Sequence, residues 1–408
     1  MKKYKLGDIA KTSSGGTPKS TIAEYYEGGN IPWINSGELG NPFITSTNNF
    51  ITKKGYDNSS AKLFPPQTVL LAMYGATAGK VSLLEIEACT NQAICAIMPN
   101  KDILLPIYLK YKLDTMYNYL VRLSTGSARD NLSQDGIKAI ELSIPSLSVQ
   151  QKIATVLSTL DKRIENLRAQ NRVLEQTAKT IYDYTFLQCA GHQTTYNKTL
   201  NRNIPVGWEV STIGCYIKES KGGDWGKENP EKNYNLQVSC IRGADIEKMT
   251  DLPIRYILAK NSSKLLQEFD LVVEISGGSP TQSTGRSRLM TKELLEMFDN
   301  KLICSNFCQA VTMKNPQYAY YISFMWKMFY DNGIFFNFEG KTSGIKNFQL
   351  DQFLDTMWFF PDLKTVEKFN AQVAPLIKKQ LFNAKQIETL TTQRNTLLPL
   401  LMTGQIEV

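Results

Sequence analysis

One histidine, His192, serves the whole 408-residue chain, and that scarcity removes much of the chemistry a protein of this length can carry. Catalysis by a Ser-His or Cys-His pair would have to rest on His192, which sits in the polar stretch AGHQTT and reads as a loop position rather than a partnered pocket. The seven cysteines are an odd count with no CxxC spacing. With a single imidazole beside them, no zinc set is expected, and the thiols read as buried and reduced. Long apolar runs are also missing. Nothing approaches the eighteen or so residues of a membrane span, and the opening MKKYKLGDIAKTSSGG turns polar after its lysines, unlike a signal peptide or anchor. The expected location is the cytoplasm. Low-complexity tracts are lacking too.

What is present is the balance of a folded protein, 42% hydrophobic and 21% charged, in a chain long enough for two or three domains. The net charge of +8 is unevenly spread. Residues 1–145 hold 15 basic and 12 acidic side chains, 146–204 hold 8 and 4, 205–361 hold 17 and 18, and 362–408 hold 6 and 4. This mild excess permits contact with nucleic acid without demanding it.

The informative feature is an internal repeat. Residues 126–153 align without gaps on 342–369 at an offset of 216, with Ser127/Ser343, Asn131/Asn347, Asp135/Asp351, Pro145/Pro361, Leu147/Leu363 and Lys152/Lys368 identical. Upstream, at an offset of 215, Cys89, Asn91, Met98 and Asn100 fall on Cys304, Asn306, Met313 and Asn315. Each copy begins with a head of short apolar runs such as TVLLAM and AICAIM, read as strands between turns. A long helix follows. After Pro145, Val149, Ile153, Val156, Leu160, Ile164, Leu167, Asn171, Leu174, Ala178 and Ile181 recur at steps of three and four. After Pro361, Val366, Phe369, Val373, Leu376, Ile377, Leu381, Ala384, Ile387 and Leu390 repeat the pattern less regularly, and Pro399 is expected to bend or end that helix.

The resulting expectation is an α+β chain. A first head domain spans 1–145, a long helix 146–187, a linker 188–204, a second head domain 205–361 and a C-terminal long helix 362–408. The heads are expected to be twisted, mostly antiparallel sheets with helices. The two helices, each roughly 55 Å long at 1.5 Å per residue, pair antiparallel to bury their stripes and make the repeat pseudo-two-fold.

Several strings are similar to the specificity subunits of type I restriction-modification systems: YKLGDIAKTSSGGTPKS, EGGNIPWINSGEL and VLLAMYGATAGKVSLLEIEACTNQAICAI in the first head, IPVGWEVSTIG at the start of the second, PSLSVQQKI at the first helix and LLPLLMTGQIEV at the end. The resemblance implies a DNA-binding subunit without catalysis of its own, reading a bipartite double-stranded target with one half-site per head. It also implies two methyltransferase subunits gripping the helix pair and restriction-translocase subunits joining them. The candidate partner-binding positions are Ile153, Leu160, Leu167, Leu174, Val373, Leu381 and Ile387. S-adenosylmethionine, ATP and magnesium would belong to those partners; this chain needs no cofactor, metal or membrane. A self-contained methyltransferase or nuclease, and a scaffold of a related defence system, are the alternative readings.

Two strings imitate enzyme motifs. GATAGK, Gly75 to Lys80, is one residue short of GxxxxGK and is followed by Val81 where a Ser or Thr is required. Asn315-Pro316-Gln317-Tyr318 is one letter from the NPPY of adenine methyltransferases, but its repeat counterpart, Pro99 to Asp102, marks it as a strand-to-helix loop.

A base reader needs donors, acceptors and cations on loops held by a stiff scaffold. In the first head the candidates are Ser14, Gly15, Gly16 and Thr17; Tyr74, Thr77 and Lys80; and Ser127 with Arg129. In the second they are Lys221 with Trp225; Ser276 and Ser279 with Arg286 and Arg288; and Ser343 with Lys346. Arg129, Arg286 and Arg288 are the foremost candidates for base contact, because a guanidinium bridges guanine O6 and N7.

Overall fold

The computed structural model describes residues 1–125, 132–277, 281–342 and 345–407. It divides into two compact units, one formed by Met1–Asn166 with Ile387–Val408 and the other by Leu167–Gln386. Each long helix therefore contributes one half to each unit.

In the first unit, a five-stranded sheet has the order Ala10–Ser14, Ile94–Pro99, Val69–Ala72, Val81–Leu84, Phe43–Ile44. Its central strands are the apolar runs picked out in the sequence, and they are buried on both faces. Alternation divides their side chains. Val69, Leu71, Cys95 and Ile97 join one core with Tyr108, Leu109 and Leu113 of the helix Pro106–Thr115, while Leu70, Ala72, Ile94 and Ala96 join a second core with Ile34, Leu39, Ile44 and Phe64. A second sheet contains Ile31–Ile34 parallel to Ala88–Thr90.

The second unit repeats this plan. Ile217–Gly222, Cys308–Met313, Leu271–Glu274 and Ser287–Leu289 form an antiparallel sheet in the same order as the first four strands above. Leu271, Val273, Val311 and Met313 face the helix Ala319–Asp331, and Val272, Cys308 and Ala310 face the opposite core. Tyr234–Ile241 runs parallel to Leu302–Cys304, as Ile31–Ile34 does to Ala88–Thr90. Even the loop leading to the helix recurs: the Asn100 side chain accepts from the N–H of Asp102, and that of Asn315 from the N–H of Gln317. The second unit adds a small sheet, Ser276–Gly277, Ile345–Phe348 and Glu339–Thr342.

The central helix spans Leu147–Tyr182 and runs into a π-turn, Asp183–Leu187; the C-terminal helix spans Leu363–Thr403. They run antiparallel. In the second unit Asn171 exchanges side chain-to-carbonyl hydrogen bonds with Gln380, at 3.2 and 3.1 Å, while further along Tyr182 meets Phe369. Asn383, fully buried, donates to Asn171 Oδ1 at 2.9 Å. In the first unit Arg394 Nε lies 3.1 Å from Asp161 Oδ1.

Of the two outcomes expected at Pro399, a bend or an end, the second does not occur, since the helix continues to Thr403. The ring removes only one N–H, and Leu398, Leu401 and Met402 are buried in the first unit's core, which fixes the last turn. The stretch 188–204 is not plain linker either, because Thr194–Asn197 pairs antiparallel with Arg202–Pro205 around a loop whose Asn201 is left-handed at φ 50. Asparagine tolerates that conformation, so a hairpin closes where no apolar periodicity announced one.

Candidate nucleic-acid interface

The glycine pair of the first head is seated against the turn that follows Ala88–Thr90. A Cβ on Gly15 would stand 2.0 Å from the Thr90 carbonyl oxygen, and one on Gly16 would stand 2.2 Å from Ser60 Oγ, so both sites exclude any side chain. Gly16 N–H donates to Thr90 O at 2.9 Å, and Trp33 Nε1 fixes the carbonyl of Gly16 at 3.0 Å. These contacts present Thr17 to solvent, where its hydroxyl donates to Gln92 Oε1. Ser14 Oγ accepts from Gln134 Nε2. The loop starting at Tyr74 arrives beside the same turn, because Met73 N–H donates to Ala93 O at 2.8 Å. GATAGK is the loop of a hairpin between Val69–Ala72 and Val81–Leu84, so no helix N-terminus follows to hold a phosphate. Thr77 is half-buried, and Lys80 is exposed with its Nζ 4.7 Å from the Tyr117 ring centroid.

The second head is built the same way with different side chains. A Cβ on Gly223 would stand 2.1 Å from Ser305 O and 2.2 Å from Cys304 O, and Asp224 N–H donates to Cys304 O at 2.8 Å as Gly16 N–H does to Thr90 O. The N–H groups of Ile275 and Ser276 both donate to Phe307 O, at 2.8 and 3.2 Å. Two separate stretches of sequence thus converge on one turn in each head. That turn, residues 90–93 and 304–307, was not singled out from the sequence. The Cys/Asn identities at an offset of 215 run one residue out of step with it, since strand pairing sets Ile34 against Thr90 and Ile241 against Cys304.

Most of the cations assigned to base or phosphate contact in the second head have other partners. Arg286 grips Glu274 with two bonds of 2.9 and 2.7 Å, and Lys221 Nζ lies 3.1 Å from Asp270, whose side chain is fully buried. Lys346 pairs with Glu339 at 3.2 Å. Removing one partner of a buried ion pair costs about 3–5 kcal/mol, whereas a good base contact discriminates by about 1–3 kcal/mol. These three side chains therefore hold the head together through ion pairs of their own. Trp225 is covered on one face by Arg255, whose guanidinium carbon is 3.7 Å from the ring centroid. Ser276 Oγ bonds to Asn347. Arg288, half-buried opposite Val272, forms no ion pair among the described residues, and burial pushes its guanidinium pKa down. Ser127, Arg129, Ser279 and Ser343 lie outside the described residues.

Residues 1–176 match the family described as the type I restriction modification DNA specificity domain. The MjaIX specificity subunit of Methanocaldococcus jannaschii is 30% identical over 99% of this chain and 93% of its own length. The chain belongs to the family of type I restriction enzyme specificity subunits.

The EcoR124I/EcoR124II specificity subunit of Escherichia coli is 27% identical over 38% of this chain and 40% of its own. The crystal structure of the S subunit from M. genitalium shares the fold, with a TM-score of 0.64 at 15% identity, covering 98% of this chain and 95% of that one. Within this family plan, the apolar seam is consumed by the fold. Ile153, Leu167, Val373 and Leu381 are buried inside the chain, and Leu160, Leu174 and Ile387 are half-buried. Ile153 packs with Tyr108 and Leu401, and Val373 with Phe369 and Tyr182. The buried four cannot face a partner subunit, which corrects their assignment: a seam that closes two helices on each other is hidden by that closure. His192 is exposed, with its ring edge-on to Trp208.

Proposed function

We propose that this chain is the non-catalytic DNA reader of a type I restriction-modification complex, with each head reading one half of a bipartite double-stranded target. The observation that carries this reading is the duplicated glycine-against-turn construction. The scaffold around the turn repeats, Gly15 on Thr90 and Gly223 on Ser305, while the side chains it displays differ between the heads. A repeated scaffold with differing displays is what two separate half-site readers require. Exposed Thr17, Gln92 and Lys80 in the first head and half-buried Arg288 in the second are among the described side chains available for contact.

Two methyltransferase subunits would hold the outer, polar faces of the helix pair, since its seam is filled, and restriction-translocase subunits would join through them. Those partners carry the chemistry and its cofactors. We place the assembly in the cytoplasm, in keeping with seven cysteines that form no disulfide.

Exchanging residues 205–361 for the second head of another member of the family tests the reading. Methylome sequencing of cells carrying the intact system is expected to show one half of the target changed and the other kept. A swap that altered both halves would refute one half-site per head. The purified chain alone is expected to transfer no methyl group from S-adenosylmethionine to DNA.

A further inference from the structure

The repeat at an offset of 216 holds in three dimensions along the long helices. Leu6 N–H donates to Ile140 O at 2.8 Å and Ile213 N–H to Thr356 O at 3.0 Å, and the helices that follow start at Leu147 and Leu363. Ile153, Leu157 and Leu398 sit in the first unit's core as Phe369, Val373 and Tyr182 sit in the second's. Each seam residue of one helix therefore has a counterpart on the other, 216 positions away.

The polar members of the seam break this symmetry. Asp161, 4% exposed, faces Arg394, and Asn171 faces Gln380 and the fully buried Asn383. Their counterparts are all apolar: Ile377 for Asp161, Ala178 for Arg394, Ile387 for Asn171, Ile164 for Gln380 and Leu167 for Asn383. The consequence is geometric. If the central helix paired in the same antiparallel register with the central helix of a second copy, Asp161 would meet Ala178, and Asn171 would meet Ile164 and Leu167. If the C-terminal helix paired with its own copy, Arg394 would meet Ile377, and Gln380 and Asn383 would both meet Ile387. Each of these side chains would lose the partner it has across the seam, and a covered polar group without its partner is costly. The apolar stripe makes no such distinction, because Ile153 and Phe369, or Leu157 and Val373, suit all three pairings equally.

We propose that Asp161 with Arg394, and Asn171 with Gln380 and Asn383, form an address that admits the central helix beside the C-terminal helix and rejects a second copy of either. A polar residue at a covered position of paired helices selects partner and register in this way, by penalising the wrong pairing more than it strengthens the right one. The charged pair lies in the first unit and the amides in the second, so each unit carries its own part of the address. A chain built of two similar halves needs such a device. Halves that recognised themselves as well as each other would join separate chains into mixed assemblies.

The test uses the full-length chain, co-expressed in two differently tagged forms and captured on one tag and then the other, so that only assemblies containing both forms are counted. The wild-type chain is expected to yield few. The variant Asn171→Ile/Gln380→Ile/Asn383→Leu carries at each position the residue of its counterpart, and is expected to raise the doubly captured fraction at least about tenfold. Asp161→Ile/Arg394→Ala, which leaves Lys110 and Asp114 as a balanced pair, is expected to do the same. Replacing both members of a covered polar pair by apolar residues leaves folding intact, and circular dichroism checks this for each variant. The two sets are made separately, so that either one decides the matter if the other does not fold. Folded variants that mix no more than the wild type would overturn the proposal. So would a wild-type chain that mixes as freely as they do, since its polar seam would then reject nothing.

Discussion

The buried charges that fasten the C-terminal helix to the first unit allow a test with a worked magnitude. Asp161 Oδ1 lies 3.1 Å from Arg394 Nε, its Oδ2 accepts from the Tyr111 hydroxyl at 2.8 Å, and Lys110 Nζ stands 3.8 Å away. Lys110 also pairs with Asp114 at 2.8 Å, and Arg394 NH2 reaches Asp114 at 3.7 Å. Two cations thus balance two carboxylates. At an effective dielectric near 20, a pair at 3.1 Å carries about 5 kcal/mol of Coulomb attraction. Because the Arg394 side chain is 23% exposed, water screens part of this, and Arg394→Met should destabilise the first unit by about 2–4 kcal/mol, below or within the range for buried pairs. Asp161→Asn keeps an acceptor for Tyr111 but removes the charge, and should cost about 2–3 kcal/mol. With both changes the unpaired charges disappear together, so the double variant should cost less than the sum by at least about 1.5 kcal/mol. Urea titration followed by hydrogen exchange of peptides covering 94–99 and 106–115 would isolate the first unit from the second. Costs that added within about 0.5 kcal/mol would refute the coupling and with it the role of this pair.

The glycine-against-turn construction predicts opposite outcomes at adjacent residues. Gly223→Ala should cost about 1–3 kcal/mol in thermal or urea unfolding, since its Cβ meets the Ser305 and Cys304 carbonyls, whereas Gly222→Ala, with nothing within 4 Å, should stay within about 0.5 kcal/mol; equal costs would show that the turn is not tightly seated. The thiols predict a stoichiometry. Burial pushes Cys95, Cys240, Cys304 and Cys308 up to about 12 and Cys89 up to about 11, while hydrogen bonds from Ser211 and Thr212 hold exposed Cys215 below the usual thiol range. A thiol reagent at pH 8 should therefore label one cysteine quickly in the native chain, lost in Cys215→Ser, and all seven only in denaturant.

The scaffold was legible in the sequence because periodicity and repetition are properties of order along the chain. TVLLAM and AICAIM alternate their side chains between two cores, and a two-residue period with both phases apolar announces a strand covered on both sides. The helix stripes set the seam for the same reason, yet not its occupants. A stripe says that Ile153 or Val373 must be covered, and only the packed structure says by what. The ion pairs of the second head were hidden for a related reason. Lys221, Arg286 and Lys346 look available in one dimension because Asp270, Glu274 and Glu339 are brought to them by strand pairing, at sequence separations that carry no local signal.

The same logic explains why the turn was missed and why it matters. Strand pairing sets Ile34 against Thr90 and Ile241 against Cys304, one residue out of step with the Cys89/Cys304 and Asn91/Asn306 identities, so a search for matching residues misaligns the two turns. Thr90 and Ser305 differ in side chain, but each offers the carbonyl against which Gly15 or Gly223 is seated, and backbone contacts of that kind do not depend on the residue displayed. A turn seated largely through backbone carbonyls and excluded side chains is free to change the side chains it displays at little cost to the fold. Within a duplicated DNA reader, the positions that set specificity are therefore to be sought where the repeat keeps its frame and loses its residues.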